Sequence, residues 1–286
     1  MTGSPLANPS ATRATLEAYG LATKHRLGQN FLISNAVIEK IMDLAALSHD
    51  EHVIEVGPGI GTLTLALLAD AGRVTSIEMD QTLEPVLSSI AAAHPSFTYI
   101  MGDALRIDVT ALADAPEAFV SNLPYNVAAT LILAYMQTIP SLKRCVVMVQ
   151  SEVADRICAR PGTKTYGAYT AKLALYGKVT GRFAVGAHNF MPPPHVESAV
   201  VRIERAPLAP SLTPEELQAC ARVIDAAFAQ RRKTIRNSMM SSGFAAEALD
   251  EAFSKLAFDP RRRAETCSPE EFVELTQVLK DCGGVS

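Results

Sequence analysis

The sequence is poor in cysteine, and no cysteines are paired in a metal-binding pattern. Its five cysteines, Cys145, Cys158, Cys220, Cys267 and Cys282, form no Cys-x-x-Cys motif, which argues against a structural zinc site. An odd number of scattered thiols is typical of a reducing compartment, so we expect a cytoplasmic protein. The six histidines show no ligand spacing, and we predict no metal.

Long apolar runs are also missing. Residues 1–20 lack the apolar core of a secretory signal. No stretch approaches the length of a membrane-spanning helix, so we predict no membrane partner. With 286 residues, of which 48% are hydrophobic and 20% charged, the chain suits one globular α/β domain followed by a small second domain.

Acidic residues are absent from one long segment, although the net charge is −4. Between Arg156 and Val196 the chain has six basic residues and no acid. Residues 1–120 contain 6 Lys and Arg against 14 Asp and Glu, whereas residues 121–286 contain 20 against 16. A polyanion responds to the local field rather than to the total charge, so the second half is compatible with a nucleic-acid partner. A solvated basic face explains the same pattern equally well.

Short apolar segments alternate with helical patterns through the first 150 residues. We predict strands at 52–56, 73–77, 97–101, 118–121 and 145–149, and helices at 34–47, 62–69, 81–93 and 127–137. Such alternation indicates a mostly parallel sheet covered on both faces. Residues 178–185 and 198–204 alternate in polarity, as expected of a closing antiparallel pair.

The C-terminal part of the chain has a different pattern. Residues 206–214 contain three prolines and are predicted to form a linker. Residues 215–229, 231–240 and 269–280 have a helical pattern with no strand signal between them. We therefore predict a domain at 1–205 with an N-terminal helical extension, a linker at 206–214 and a helical domain at 215–286.

A glycine-rich run, Gly57-Pro58-Gly59-Ile60-Gly61, follows the first predicted strand and precedes a helix. Glycine allows tight turns and close approach of the backbone to a ligand. Glu78, at the end of the second strand, is placed to accept hydrogen bonds from ribose hydroxyls, and Asp103 after the third strand suits contact with an adenine. The Gly-x-Gly-x-Gly spacing preceded by Glu55 favours S-adenosylmethionine over NAD.

The tetrapeptide Asn122-Leu123-Pro124-Tyr125 directly follows the fourth strand, where ligands of open α/β sheets bind. The Asn122 side-chain oxygen and the Leu123 carbonyl can each accept one N–H of an exocyclic amine, which favours a pyramidal nitrogen with a localised lone pair. Pro124 stiffens the loop and donates no competing N–H. Tyr125 offers a face on which a base can stack. These residues predict methyl transfer to the amino group of a base.

Together these segments resemble the small-subunit ribosomal RNA adenine dimethyltransferases. The matching segments are 27–32, 55–61, 78–80, 102–104, 122–125, 190–198 and 228–237, and the resemblance covers roughly residues 20–280. It implies a Rossmann-like class I methyltransferase domain with a mostly parallel sheet, followed by a small all-helical C-terminal domain. Ser34, His195 and Glu197 depart from the usual family residues, which affects only the expected details of RNA contact.

The resemblance also implies roles for individual residues. Those expected to bind S-adenosyl-L-methionine are Asn30, Leu32, Gly57, Gly59, Glu78, Met79, Asp103, Ala104 and Asn122. The expected catalytic residues are Asn122, Leu123 and Tyr125, which would hold the target base, Pro124, which stiffens the loop, and Phe190, which would stack on the other side of the base. The charge pattern, rather than the resemblance, makes a further set of basic residues candidates for contact with RNA phosphates, although a solvated face explains them as well: Arg156, Arg160, Lys164, Arg231, Arg232, Lys233 and Arg236, with Lys24, His25 and Arg26 as further candidates.

The implied reaction is dimethylation of two adjacent adenosines near the 3′ end of small-subunit rRNA, in a pre-ribosomal particle, by a monomer. Three alternatives stay open. A large-subunit rRNA dimethyltransferase of the antibiotic-resistance type is disfavoured by the helical tail with Gln230-Arg231-Arg232-Lys233. A non-catalytic assembly factor is disfavoured by the intact segment 122–125. An NAD-dependent dehydrogenase is disfavoured by the glycine spacing.

Overall fold

The computed structural model describes residues 3–21, 29–112 and 114–284. The candidate RNA contacts Lys24, His25 and Arg26, together with residues 27–28 of the N-terminal motif, therefore lie outside the described residues. The chain divides into two compact units. The first comprises Met1–Ala154 and Val179–Arg205, and the second comprises Asp155–Lys178 and Ala206–Ser286.

Seven strands organise the first unit. They are β2 (His52–Val56), β3 (Arg73–Glu78), β4 (Phe97–Met101), β5 (Ala118–Asn122), β6 (Arg144–Gln150), β7 (Gly177–Val185) and β9 (Ser198–Arg205). They form one sheet in the order β4-β3-β2-β5-β6-β9-β7. Pairing is parallel from β4 to β6, whereas β9 is antiparallel to β6. The predicted mostly parallel sheet is confirmed, and its strand order reverses between β2 and β5.

In the described residues, five α-helices precede β2 or connect the strands from β2 to β6. They are α1 (Pro9–Ala18), α2 (Asn35–Ala45), α3 (Thr62–Asp70), α4 (Glu84–Ala93) and α5 (Ala128–Thr138). Apolar residues of α2, including Ile38 and Ile41, join Val53 and Val146 of the sheet in one buried core. Every residue of β2 is buried, as expected of a parallel strand covered on both faces.

A separate two-stranded sheet, which the sequence pattern does not predict, joins β1 (Phe31–Leu32) to β8 (Phe190–Met191). The pairing is antiparallel, with Leu32 opposite Phe190. Side chains that face each other across two strands point to the same side. Leu32 and Phe190 accordingly enter the main core, while Phe31 joins a second cluster with Ile60.

Helices dominate the second unit: α7 (Ala168–Ala174), α8 (Pro214–Phe228), α9 (Ile235–Ser241), α10 (Ala246–Lys255) and α11 (Pro269–Asp281), with α6 (Ser151–Ile157) crossing its boundary. Helices α8 and α11 each begin with a capping box, in which Thr213 and Ser268 respectively bond to the third helical residue. This reciprocal bonding satisfies backbone donors that have no partner inside the helix. Within the described residues, no helix is long and apolar enough to cross a membrane.

The boundary between the units differs from the predicted one. Residues 155–178 belong to the helical unit, because the Tyr166 hydroxyl donates to the Cys267 carbonyl at 3.0 Å and its ring packs edge-on against Phe228. The proline-rich segment 206–214 is not a free linker either. The N–H groups of Ala206 and Leu208 donate to carbonyls of the 175–176 turn, so this segment is part of the second unit.

The predicted helix at 231–240 begins later than expected, at Ile235. Thr234 is extended, and its side chain accepts a hydrogen bond from the Asn237 N–H, which defines the N-cap. Arg231, Arg232 and Lys233 therefore lie in the turn before the helix rather than along its face.

Candidate active site

A cleft opens in the first unit at the carboxyl ends of β2, β3, β4 and β5. Among the residues lining it are the predicted Asn30, Leu32, Gly57, Gly59, Glu78, Met79, Asp103, Ala104, Asn122, Leu123, Pro124 and Tyr125. The fold thus brings all but one of the predicted cofactor-binding and catalytic residues together, because carboxyl ends of neighbouring parallel strands share one edge of the sheet. The exception is Phe190.

The glycine loop passes close to its neighbours. Gly57 and Gly59 have φ angles of +71° and +60°, which residues with a Cβ rarely adopt. A Cβ on Gly57 would lie 3.3 Å from Cδ of Pro124, and one on Gly59 would lie 3.1 Å from Cε1 of Phe31. The loop therefore packs between the tetrapeptide and Phe31, with its backbone facing the cleft.

Glu78 connects the glycine loop to the end of β3. Its Oε2 accepts the Gly59 N–H at 3.2 Å and its Oε1 accepts the Asp80 N–H at 2.9 Å. Burial raises the pKa of the Glu78 carboxyl above its ordinary value, and the backbone N–H groups partly oppose this. A carboxylate oxygen accepts more than one hydrogen bond, so Glu78 can also accept hydroxyl groups of a ligand.

Glu55 lies beneath the same cleft and was not assigned a role from the sequence beyond marking the loop. Its Oε2 accepts the hydroxyls of Thr64 and Ser76, each at 2.7 Å. Burial raises the pKa of Glu55 to about 7, although both hydroxyls lower it and nearby Glu78 raises it further. The pKa values of the two buried carboxyls, Glu55 and Glu78, are thus both raised by burial.

Asp103 and Ala104 line the cleft beyond β4. The Asp103 Oδ1 accepts the Leu105 N–H at 3.0 Å, which forms a tight turn. The Tyr135 hydroxyl donates to the Ala104 carbonyl at 3.2 Å. The centroid of the Tyr135 ring lies 4.9 Å from the centroid of the Phe119 ring. This turn is therefore anchored from helix α5.

The Asn122 amide is oriented by the N-terminal motif. Its Nδ2 donates to the Asn30 carbonyl at 3.4 Å, which leaves Oδ1 as the acceptor of this side chain. The next N–H, that of Leu123, donates to the Met148 carbonyl at 3.1 Å on β6. Hydrogen bonds to two separate segments thus hold the start of the tetrapeptide.

Tyr125 is anchored through its hydroxyl. This hydroxyl and that of Ser198, the first residue of β9, are 2.7 Å apart and share a hydrogen bond. Burial raises the pKa of Tyr125 above its ordinary value, so the phenol is neutral at physiological pH. The ring is therefore held at one end while it lines the cleft.

Ser121 is a site residue that the sequence analysis missed. Its hydroxyl accepts the Val56 N–H at 3.2 Å and donates to the Val56 carbonyl. The paired residues of β2 and β5 extend only to Ile54 and Phe119, so this side chain links the strand ends beyond them. The position of Ser121 directly before Asn122 was a usable signal, but its partner is 65 residues away.

Phe190 does not line the cleft. It is 2% exposed and packs in the main core, on the same side of the two-stranded sheet as Leu32. Stacking on a base would require the Phe190 ring to leave this core, so this role stays a prediction.

The predicted RNA contacts in the second unit differ in their charge environment. Arg236 forms a two-point ion pair with Asp250 at 2.6 and 2.7 Å. Arg231 lies 3.7 Å from Glu265 and donates to the Lys164 carbonyl. In the described part of the chain, the exposed side chains of Arg160, Lys164, Arg232 and Lys233 make no ion pair. Arg156 is exposed, and its carbonyl accepts the Thr170 hydroxyl.

The strand order, the glycine loop and the cleft at the strand ends define a Rossmann-like methyltransferase. The chain belongs to the ribosomal RNA adenine dimethylase family, whose model matches residues 20–281. Its methyl donor is S-adenosylmethionine, and its reaction is dimethylation of adenine in ribosomal RNA. The predicted family, enzyme class and cofactor are thereby confirmed.

Similar proteins agree with this assignment. The chain is 41% identical to Ribosomal RNA small subunit methyltransferase A of Thermobifida fusca, over 95% of this chain and 96% of that protein. It is 38% identical to the protein of the same name from Corynebacterium glutamicum, over 98% and 97%. A dimethyladenosine transferase from Plasmodium falciparum shares the fold, with a TM-score of 0.75, 21% identity, and coverage of 89% of this chain and 99% of that one.

A large-subunit rRNA methyltransferase has a similar fold. The 23S rRNA methyltransferase ErmE superposes with a TM-score of 0.65 and 25% identity, covering 88% of this chain and all of that one. The two kinds of enzyme therefore share an architecture, and the fold alone does not separate them.

Proposed function

We propose that this protein dimethylates the 6-amino groups of two adjacent adenosines near the 3′ end of small-subunit rRNA, within a pre-ribosomal particle. The orientation of Asn122 carries the proposal. Because its Nδ2 donates to the Asn30 carbonyl, its Oδ1 is left to accept an N–H. An amino group entering the cleft would meet this acceptor beside the Leu123 carbonyl.

The choice of the small subunit rests on the relatives. Two proteins named Ribosomal RNA small subunit methyltransferase A are 41% and 38% identical over nearly the whole chain. The large-subunit enzyme ErmE is 25% identical. The odd number of scattered cysteines in the sequence supports our further proposal that the protein acts in the cytoplasm, and we propose that it does so as a monomer.

The cleft fits S-adenosylmethionine. A Cβ at Gly57 or Gly59 would press tightly on Pro124 or Phe31, so glycine keeps this loop compact at the cleft, and the buried Glu78 carboxylate retains acceptor capacity for ribose hydroxyls. Asp103, Ala104 and the exposed side chain of Met79 would border the adenine, and Asn30, Leu32 and Asn122 the methionine part. When bound, this cofactor supplies the electrophilic methyl group.

The tetrapeptide would then prepare the nucleophile. Asn122 Oδ1 and the Leu123 carbonyl accept the two N–H groups of the amine and so localise its lone pair. Pro124, packed against Gly57, keeps this loop next to the cofactor loop. Tyr125, held by Ser198, presents its ring to the base. The methylated nitrogen is acidic and loses its proton afterwards, so no side-chain base is needed.

Contact with RNA phosphates would come chiefly from cations that have no carboxylate partner. Arg160, Lys164, Arg232 and Lys233 meet this condition in the described chain, whereas Arg231 and Arg236 already face Glu265 and Asp250. A phosphate competes poorly for an arginine that is bound at two points.

Transfer of a radiolabelled methyl group to immature small subunits tests the proposal, with large subunits as the parallel substrate. We expect label in small-subunit rRNA, and mass spectrometry should find two adjacent dimethyladenosines near its 3′ end. Label in large-subunit rRNA would support the alternative enzyme instead. Binding to small subunits without transfer would indicate a non-catalytic assembly factor.

A further inference from the structure

Helix α1 lies before the segment 20–281 that the family model matches, and the proposed reaction assigns it no role. It begins at Pro9, where the Asn8 side chain accepts the Ala11 N–H at 2.8 Å. It ends at Ala18, with Tyr19 as the C-cap, and is followed by Gly20, which has a φ of +61°. The Leu21 N–H donates to the Leu16 carbonyl at 2.8 Å and the Gly20 N–H to that of Glu17 at 3.1 Å.

This pair of hydrogen bonds is a Schellman motif, which typically brings the residue after the glycine into contact with the last turn of the helix. Here those two residues are Leu16 and Leu21. Both, together with Leu6, pack against a small cluster of buried side chains, namely Phe31, Ile60, Leu83 and Val86. The helix end therefore presents two leucines to one apolar cluster.

The cluster is in direct contact with the cofactor loop. Ile60 is itself a residue of the glycine loop, and the Phe31 ring lies so close to Gly59 that a Cβ there would be 3.1 Å from Cε1. The N–H of Gly59 in turn donates to Glu78. Leu16 and Leu21 therefore pack against a cluster that contains Phe31, and Phe31 lies against the loop residue whose N–H is bonded to the carboxylate proposed to bind ribose.

We infer that α1 is a positioning element of the cofactor site, in which Leu16 and Leu21 hold Phe31 against Gly59. Phe31 lines the cleft, whereas the two leucines act only through it. Without them the Phe31 ring gains room to move, and the Gly59 N–H is no longer fixed opposite Glu78. The inference rests on the proposed placement of the cofactor in this cleft.

The test compares Leu16→Ala with two controls by calorimetric titration with S-adenosylmethionine and, separately, S-adenosylhomocysteine. Glu17→Ala changes the exposed neighbour on the same helix. Leu44→Ala removes a leucine that packs on the main core of the same unit, away from the cleft, and controls for general destabilisation. The melting temperature of each variant is measured without ligand.

We expect Leu16→Ala to lower the affinity for both ligands about fivefold, a change within the usual range for residues that act through a neighbour. Glu17→Ala and Leu44→Ala should change affinity less than about twofold, even where Leu44→Ala lowers the melting temperature as much. Leu16→Met, which keeps an apolar side chain of similar volume, should restore affinity. Leu21→Ala should behave like Leu16→Ala and serves in its place if the latter does not fold.

Unchanged affinity in both leucine variants overturns the inference, as does an equal loss in Leu44→Ala. Glu78→Ala, measured in parallel, separates this inference from the proposed function. If Glu78→Ala binds normally, the placement of the cofactor is wrong. If Glu78→Ala binds weakly while both leucine variants bind normally, only the role of α1 is wrong.

Discussion

The hydroxyl of Ser121 bonds to both the N–H and the carbonyl of Val56. Val56 directly precedes the glycine loop, and Ser121 directly precedes Asn122. One side-chain oxygen thus joins the segment that is proposed to hold the cofactor to the segment that is proposed to hold the base. It does so where the backbone pairing of β2 and β5 has already ended, at the reversal of the strand order.

Ser121→Ala should therefore reduce the rate of methyl transfer more than it reduces cofactor affinity. We expect a loss of about tenfold in kcat, because small displacements between reacting groups are costly, and a change of about twofold or less in the Kd of S-adenosylmethionine. Single-turnover kinetics and calorimetry measure the two quantities. Ser141→Ala is the matched control, since this hydroxyl bonds to the Pro116 carbonyl outside the cleft. Equal effects of both variants would contradict a positioning role for Ser121.

Glu78→Ala should weaken binding of S-adenosylmethionine by about tenfold or more, because it removes charge-assisted hydrogen bonds to ribose. It also releases the Gly59 N–H. Glu78→Gln keeps one acceptor oxygen and should bind with intermediate affinity. Calorimetric titration of the three proteins checks this order. Wild-type affinity in Glu78→Ala would rule out the assigned role.

Asn122→Ala should abolish most turnover, by on the order of a hundredfold, as is usual for loss of one well-placed polar group at a reacting centre. Cofactor affinity should fall only modestly, because Glu78 and the glycine loop are intact. Asn126→Ala provides the control, since it makes the same substitution at another cleft residue outside the tetrapeptide. Methylation of small subunits by Asn122→Ala at the wild-type rate would refute the mechanism.

Glu55 should make the stability of the free protein depend on pH. Its pKa is raised from 4.5 to about 7 in the folded protein, so the folded state binds this proton more tightly than the unfolded state. Its contribution is fully present below about pH 4.5 and is lost as the pH rises through about 7. Glu55→Gln should match the wild type near pH 5 and exceed its free energy of unfolding at pH 8, by on the order of 1–3 kcal/mol.

Urea denaturation of both proteins from pH 5 to pH 8 measures this difference. Glutamine can still accept the hydroxyls of Thr64 and Ser76, so packing beneath the cleft should be preserved. A difference that does not change with pH would show that Glu55 keeps an ordinary pKa.

RNA binding should depend on the unpaired cations of the second unit. Replacing Arg232 and Lys233 together by alanine should lower the slope of log affinity against log salt by about 2, if each contacts one phosphate. The control replaces Lys255 and Arg261 by alanine. This removes the same amount of charge from the same unit, but these two side chains already pair with Glu251 and Asp259. Binding of small subunits across a salt series checks both. Equal slopes for the wild type and the first variant would mean that this turn does not touch RNA.

The local pattern of apolar and polar residues was sufficient to predict the positions of most strands of the sheet. The strand segments at 52–56, 97–101 and 118–121 were predicted to within a residue of β2, β4 and β5, because each is a short, largely apolar segment between helical patterns. The glycine loop and Glu78 were also placed correctly at strand ends. Because the strands are parallel, their carboxyl ends lie along one edge of the sheet.

The sequence by itself therefore determined the α/β sheet, the helical C-terminal part and the set of residues along the strand ends. Only the tertiary structure decided which partners those residues have. The pairing of Leu32 with Phe190, which buries a ring expected to stack on a base, and the bond from Ser121 to Val56 join positions far apart in the chain. The same is true of the hydrogen bond from Tyr166 to the Cys267 carbonyl within the helical unit and of the ion pair of Arg236 with Asp250. Periodicity reports which side of an element is buried, but the identity of a distant partner is set by packing and register, which no local pattern contains.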